Sequence, residues 1–97
     1  MQCIIASYGV RFTQAARKHR VSAGRARHVI DNPLVTLTLP APEPGIDDRL
    51  VFLGDDPTGR ALEVIAIRLP DCLLVIHVQD PQAKFRPYYD HAREEEG

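Results

Sequence analysis

Long apolar runs are missing from this sequence, and none approaches the roughly 20 residues that a helix needs to span a bilayer. The first seven residues also lack the basic start and the extended apolar stretch of a secretory signal peptide. Cysteine is scarce, because only Cys3 and Cys72 occur, and neither has the spacing of a zinc ligand. We therefore expect a cytoplasmic protein, away from membranes, with two reduced thiols and with no metal ion or other cofactor.

The chain is too short for two domains, and its composition is that of a globular protein. Its 97 residues fit one domain over positions 1–97, and 44% of them are apolar while 26% are charged. Aromatic residues make up only 6% of the chain and form no cluster on any predicted strand, which argues against an ordinary RNA-recognition motif. The four histidines are scattered without the pairing that a metal site requires.

Acidic residues are absent from the first 30 positions, which hold six of the twelve lysines and arginines. The net charge of −1 hides this asymmetry. Whether a polyanion is attracted depends more on a local patch of charge than on the net charge of the chain. The basic third could form a surface for RNA phosphates or for an acidic partner protein, or it could be a solvated helix face. We expect the following residues to be mostly exposed and to bind RNA or a partner: Arg17, Lys18, Arg20, Arg25 and Arg27.

Hydrophobic periodicity predicts that the N-terminal third is mostly helical. After a short strand over 3–6, Thr13 can cap a first helix and Ser22 a second one. The second helix ends near Asn32, because the residue before a proline avoids the helical conformation. A helical hairpin with basic outer faces is the expected arrangement.

Alternating or continuous apolar segments, separated by turns rich in proline and glycine, predict an antiparallel sheet in the rest of the chain. A final helix starts near Pro87, which suits the first turn of a helix. The predicted fold class is therefore α+β, with two N-terminal helices, an antiparallel sheet of three to four strands and a short C-terminal helix. The predicted strands cover residues 34–39, 49–54, 61–69 and 72–79.

The predicted turns indicate which side chains share a face of the sheet, because paired residues point to the same side and neighbours along a strand to opposite sides. A two-residue turn at 70–71 and a four-residue loop over 56–59 place Arg49, Arg68 and His77 together. They lie opposite a thicker apolar face that is expected to carry the helices. A slip of one residue in the register would exchange the two faces.

Further cations are expected around this predicted ligand face. The chain that leaves the last strand can bring Lys84 and Arg86 back over the sheet. Glu63 falls on the opposite, apolar face and is interpreted as a structural residue near the sheet margin. Each of these residues also has a structural alternative. His77 could be a partly buried, hydrogen-bonded histidine of the sheet, and Arg49 and Arg68 could be charged residues at strand ends that reach solvent.

The chain contains the segments KHRVS at residues 18–22 and ARHVIDNP at residues 26–33, and these, with two later segments, resemble BrnT-type toxins of the RelE/ParE superfamily of ribonuclease toxins. Residues 18–22 (KHRVS) are similar to the family's K-H-G-V-S segment, with Arg where the family usually has Gly. Residues 26–33 (ARHVIDNP) resemble its second helix and D-[DN]-P ending. Residues 49–64 resemble its R-x-x-x-x-G…G-R-x-L-x-V hairpin, and residues 84–89 resemble its basic, tyrosine-containing C-terminal segment. The likeness extends over residues 12–89, although the last strand ends in HVQ where the family tends to have Ser-Ala-Arg.

This resemblance implies a fold, an activity and a partner. The fold would be RelE-like, and the activity would be that of an endoribonuclease, the toxin component of a type II toxin–antitoxin system. A cognate antitoxin encoded nearby would bind and silence the toxin, and the two proteins would form a hetero-oligomer.

Metal-independent RNA cleavage by the 2′-OH group needs a base, cations near the phosphate and an acid for the leaving 5′-oxygen. His77 is assigned the acid or base role, because imidazole titrates near neutrality. Tyr88 or Tyr89 could stack on a base, or could instead pack the final helix on the sheet. The alternatives to an enzyme are a non-catalytic protein-binding module and an RNA-binding domain without cleavage. The candidates for holding the phosphate are Arg49, Arg68, Lys84 and Arg86.

Overall fold

Five strands and two helices build the part of the chain that the computed structural model describes, which is residues 9–13, 23–41, 43–45 and 47–96. Neither of these two helices is both long and apolar enough to cross a membrane. In chain order the elements are β1 Val10–Phe12, α1 Ala23–Asp31, β2 Val35–Leu39, β3 Arg49–Asp55, β4 Ala61–Arg68, β5 Leu73–Gln79 and α2 Arg86–Glu96.

The five described strands form one sheet in the order β1-β5-β4-β3-β2. The four strands β2 to β5 are antiparallel neighbours, and each of them starts and ends within one residue of its predicted position. β1 lies at the opposite edge and runs parallel to β5, with Val10 beside Leu73 and Phe12 beside Val75. The sheet is therefore mixed, and β1 and β2 are its two edge strands.

The predicted RelE-like architecture, with two N-terminal helices, an antiparallel sheet of three to four strands and a short C-terminal helix, is wrong. The described residues contain one helix before β2, and the sheet has five strands with a parallel pair at one edge. The sequence pattern misses β1 because three residues are too few to show a strand period, and because its pairing joins distant parts of the chain. The strand predicted over 3–6 and the first predicted helix, over 14–19, lie outside the described residues.

Helix α1 packs on one side of the sheet, here called the α1 face. Its Ala26 and Val29 are fully buried, because a spacing of three residues places them on the same side of the helix. They join a core cluster that includes Phe52 and Val64. Gly54 of β3 lies beside the helix, and a Cβ added there would be at ordinary contact distance, 3.4 Å, from the Val29 side chain.

Helix α2 covers part of the opposite side, here called the α2 face. Phe85 just before the helix and Tyr89 one turn later are buried in a cluster with Val51 and Leu53. The hydroxyl of Tyr89 donates a hydrogen bond of 2.5 Å to Asp55 Oδ1 at the end of β3. The guanidinium of the exposed Arg93 forms an ion pair with the same carboxylate. The end of β3 therefore holds α2 in place.

The loop between β3 and β4 is closed by the buried side chain of Asp56. Its Oδ1 accepts hydrogen bonds from the Thr58 hydroxyl at 2.6 Å and from the backbone N–H groups of Thr58 at 2.8 Å and Arg60 at 3.0 Å. Its Oδ2 accepts hydrogen bonds from Arg25 of α1, with Nε at 2.6 Å. Asp56 therefore links α1 to the β3–β4 loop. In the same loop Gly59 adopts a φ of 89°, a conformation that glycine accommodates readily.

The Asp56 carboxylate is held in its charged form. The Thr58 hydroxyl lowers the pKa of Asp56 well below its usual range, and the Arg25 guanidinium and the backbone N–H groups of Arg60 and Thr58 lower it further against the opposing effect of burial. Because every one of these partners comes from the protein, the cluster is complete without a ligand, and we interpret Asp56 as a structural residue.

Candidate active site

A β-bulge in the β4–β5 pair decides which side chains meet on the sheet. Near the turn, Ala66 lies opposite Val75, as a two-residue turn predicts. Beyond it, Ile65 lies opposite His77 instead of the preceding residue, because β5 contains one extra residue there. His77 therefore shares the α2 face with Glu63, and the interpretation that these two residues lie on opposite faces is wrong.

Glu63 is a fully buried carboxylate within β4. Its Oε1 accepts a hydrogen bond of 2.9 Å from the backbone N–H of Gln82. Its Oε2 accepts hydrogen bonds from the side-chain amides of Gln82 at 2.7 Å and Gln79 at 3.4 Å. These neutral donors hold the carboxylate in place, but they do not neutralise it, and an isolated buried charge is costly.

His77 is the side chain that can supply a positive charge beside Glu63. Its Nε2 lies 3.7 Å from Glu63 Oε2, and 32% of the His77 side chain is exposed while the Glu63 side chain is fully buried. His77 Nε2 is buried, and its distance from Glu63 Oε2 is longer than a hydrogen bond, so the carboxylate acts on the imidazole through its charge. The two residues can therefore act together as a proton-transfer pair at the surface of the α2 face.

The chain after β5 leads from this pair to two exposed cations. Gln82, which binds the Glu63 carboxylate, is followed by the exposed side chains of Lys84 and Arg86. Arg86 forms an ion pair of 3.4 Å with Asp90 on α2, and both side chains are about half exposed. Ion pairs this exposed contribute little to stability, so Arg86 can exchange Asp90 for a bound anion at small cost.

The two tyrosines of α2 have different environments. Tyr88 is 52% exposed and is the large apolar side chain most open to solvent among the described residues. Tyr89 is 7% exposed, belongs to the α2-face core and uses its hydroxyl to bind Asp55. The prediction that Tyr89 can stack on a base is wrong, because its ring is packed against the sheet, whereas Tyr88 retains an accessible ring.

The two strand arginines that were predicted to converge with His77 lie on different faces. Arg49 pairs with Ile67 and shares the α2 face with His77, whereas Arg68 pairs with Leu73 on the α1 face. There Arg68 lines a surface groove of about 610 Å³. Two register changes, the bulge in β5 and a β3–β4 loop one residue longer than predicted, move Arg49 and His77 across the sheet together and leave Arg68 behind.

Only part of the predicted basic surface lies in the described ranges. Arg25 binds Asp56 and is 29% exposed, and Arg27 forms an ion pair of 3.1 Å with Asp31 and is 33% exposed. The expectation that these two residues are mostly exposed is wrong, because each has an acidic partner close by. The three other members of the predicted surface, Arg17, Lys18 and Arg20, lie outside the described residues.

The described residues offer no ready metal site. No three or more His, Cys, Asp or Glu side chains within them are grouped so that they could hold a metal ion. Cys72 is a buried free thiol, and Cys3 lies outside the described residues.

Glu63 is the member of the candidate site that the sequence pattern does not identify. Its one signal is a charged residue inside a continuous apolar strand, between Leu62 and Val64. Such a residue needs a partner, but the partner cannot be chosen without knowing the register of β5. The bulge supplies that register, and it turns a residue interpreted as structural into the partner of the predicted acid or base.

No protein-family model, no curated protein and no solved structure matches this chain. The candidate active site is therefore defined by its own geometry, which is a buried glutamate behind a partly exposed histidine, and two exposed cations follow Gln82 in the chain.

Proposed function

We propose that this chain is the toxin component of a type II toxin–antitoxin system, an endoribonuclease that cleaves RNA without a metal ion. The observation that supports the proposal most directly is the distance of 3.7 Å between the partly exposed His77 imidazole and the buried Glu63 carboxylate. The resemblance of the sequence to BrnT-type toxins supplies the biological role, and the geometry supplies a chemistry compatible with it.

In the proposed reaction, the 2′-oxygen of a ribose forms a bond to the adjacent phosphorus while the bond from phosphorus to the 5′-oxygen breaks. His77 takes the proton of the 2′-OH group, and the leaving 5′-oxygen takes a proton from water. The products carry a 2′,3′-cyclic phosphate and a 5′-OH group. The Glu63 carboxylate stabilises the imidazolium that forms, and a positioned base of this kind typically contributes about 10²–10⁴-fold to the rate.

Negative charge builds up on the phosphate during this reaction, and exposed cations are needed to balance it. Lys84 and Arg86 follow directly after the segment that binds Glu63, and Arg49 lies on the same face of the sheet. The guanidinium group suits a phosphate because it can donate two parallel hydrogen bonds. Tyr88 is the side chain that we expect to stack on a base of single-stranded RNA, because its ring is accessible.

The partner that we propose is a cognate antitoxin, and the compartment is the cytoplasm, where messenger RNA is available. A neighbouring reading frame that encodes a short antitoxin would fit this role. Its product should relieve growth arrest caused by the chain, and the two proteins should purify together as a hetero-oligomer.

The decisive experiment is RNA cleavage by the purified chain, freed of any partner and supplied with a chelator. We expect cleavage of a single-stranded RNA and the appearance of a 2′,3′-cyclic phosphate end. A matched oligonucleotide with one 2′-deoxyribose at the main cleavage site should resist cleavage there, because the attacking oxygen is missing.

Two results would contradict the ribonuclease proposal. Cleavage of the 2′-deoxy substrate at the same position would exclude attack by the 2′-oxygen. Tight binding of intact RNA, or of the neighbouring gene product alone, without any cleavage would mean that the chain is a non-catalytic binding module.

A further inference from the structure

Strand β2 forms one edge of the sheet, and no described strand pairs with its outer side. Unpaired N–H and C=O groups at such an edge can accept a further strand, and soluble proteins commonly block this with lysines, prolines or bulges inside the edge strand. β2 has the sequence Val-Thr-Leu-Thr-Leu and pairs with β3 in regular register, so it contains none of these protecting features.

The sequence of β2 is symmetric about its central residue, Leu37. A threonine stands on each side of it, followed on each side by an aliphatic residue, Val35 or Leu39. The threonines are exposed, whereas the aliphatic residues are half-buried and pack with the core of the α2 face. A strand with this pattern is complementary to itself when the second copy runs antiparallel, and it carries no charge that would repel its own copy.

We propose that β2 pairs antiparallel with β2 of a second copy of this chain, about a twofold axis at Leu37. Leu37 then faces its own counterpart, and Val35 faces Leu39 of the second copy on the α2 face. Thr36 faces Thr38 of the second copy on the other face, where the hydroxyl groups can form hydrogen bonds. Both copies use the same surface, so the assembly closes at two chains and joins two five-stranded sheets into one.

The residues that flank β2 limit the length of this contact. Pro33 and Pro40 stand close to either end of the strand, and proline has no N–H group with which to extend the hydrogen bonding. Pairing is therefore confined to the strand itself, which selects the register centred on Leu37. Contacts that bury less than about 1,200 Å² are usually weak, so we expect a dissociation constant on the order of 10–100 µM. This inference is independent of the proposed ribonuclease activity.

Sedimentation equilibrium of the full chain, across concentrations from well below to well above this range, tests the proposal. The wild-type chain should show a monomer–dimer equilibrium. Replacing both exposed threonines with lysine, Thr36→Lys with Thr38→Lys, places lysine opposite lysine twice across the twofold axis. This should raise the dissociation constant by at least about tenfold, because like charges opposite each other destabilise strand pairing.

A second variant tests the geometry itself. Thr36→Glu with Thr38→Lys places glutamate opposite lysine in the proposed antiparallel register, so the dimer should form again. Glu94→Lys changes the net charge by the same amount as the double-lysine variant at an exposed position of α2, and it should leave dimerisation as in the wild type. Circular dichroism of each variant should confirm that the sheet is intact.

Three results would overturn the proposal. The wild-type chain could remain monomeric at all concentrations, the double-lysine variant could dimerise as tightly as the wild type, or the glutamate–lysine variant could remain monomeric although folded. The last result would exclude antiparallel pairing about Leu37, since that register brings the two opposite charges together.

Discussion

Asp56 and Glu63 are both buried carboxylates of the β3–β4 hairpin, with 3% and 0% of their surface exposed, and their partners differ. Asp56 has a permanent cation, Arg25, and three hydrogen bonds from its own loop. Among the described residues, the partners of Glu63 are the amide donors of Gln79 and Gln82 and His77, which is charged only when it is protonated. A carboxylate that is paired with a permanently charged arginine, such as Asp56, stabilises the fold. A carboxylate beside a histidine, which can gain or lose a proton, is suited to proton transfer.

We expect the largest effect from a substitution at the Glu63–His77 pair, which should change RNA cleavage, whereas substitutions at Asp56 should not. His77→Ala should lower RNA cleavage by about 10²–10⁴-fold, because it removes the proposed base, and should abolish growth arrest on expression. Antitoxin binding and the circular dichroism spectrum should stay the same. His91→Ala is the matched control, because the His91 side chain is 75% exposed on α2 and lies outside the candidate site. Full cleavage activity of His77→Ala would contradict the acid–base assignment.

Glu63→Gln should affect both stability and activity. Its amide nitrogen would face the amide donors of Gln82 and Gln79, and leaving a buried hydrogen-bonding group unsatisfied costs about 1–3 kcal/mol in the free energy of unfolding. Cleavage by the folded protein should also fall, by less than in His77→Ala, because the imidazolium loses its carboxylate. Urea denaturation and initial cleavage rates measure the two effects. A variant that is destabilised but cleaves at the wild-type rate would make Glu63 purely structural.

Asp56→Asn should change stability alone. The new amide nitrogen would oppose either Arg25 or the donors of the loop, so we expect the melting temperature to fall by roughly 5–10 °C. The cleavage rate of the folded protein should stay at the wild-type level. Differential scanning calorimetry at neutral pH and a cleavage assay well below the melting temperature would show this, and a loss of cleavage without a loss of stability would contradict it.

The dependence of stability on pH tests the same site in the wild-type chain. The pKa of Asp56 is lower in the folded protein than its ordinary value of 3.8, so the unfolded chain binds a proton more readily. The contribution of Asp56 is therefore fully present above pH 3.8 and is lost as the pH falls below that value. Melting temperatures of the wild type should fall steeply in this acidic range, and those of Asp56→Asn should fall less. Equal slopes for both proteins would show that Asp56 carries no depressed pKa.

The smallest effect concerns the partly exposed ion pair between Arg27 and Asp31 on α1. Arg27→Ala removes the pair with Asp31, and exposed pairs at this spacing contribute only about 0.3–0.5 kcal/mol. Urea denaturation should detect at most this loss, and added salt should reduce it further. A loss several times larger would mean that Arg27 has a structural role comparable to that of Arg25.

The local structure of the sheet follows from patterns in the amino-acid sequence. The turn at Pro70-Asp71 and the proline–glycine loop before β4 separate apolar segments, and each of the strands β2 to β5 lies where these signals place it. The start of α2 also follows from the sequence, because Pro87 is accepted in the first turn of a helix. His77 could likewise be selected from its chemistry, since imidazole is the side chain that titrates near neutrality.

Which of these side chains meet depends on how the strands pack against one another. One extra residue in β5 and one in the β3–β4 loop reverse the faces of Arg49 and His77, and the side-chain period of two makes each such change complete. The parallel pairing of β1 with β5 likewise joins segments that are far apart in the sequence, so no local sequence pattern predicts it. Glu63 and His77 are 14 positions apart in the sequence. They lie side by side because β4 and β5 pair in this register, and a shift of one residue would place them on opposite faces.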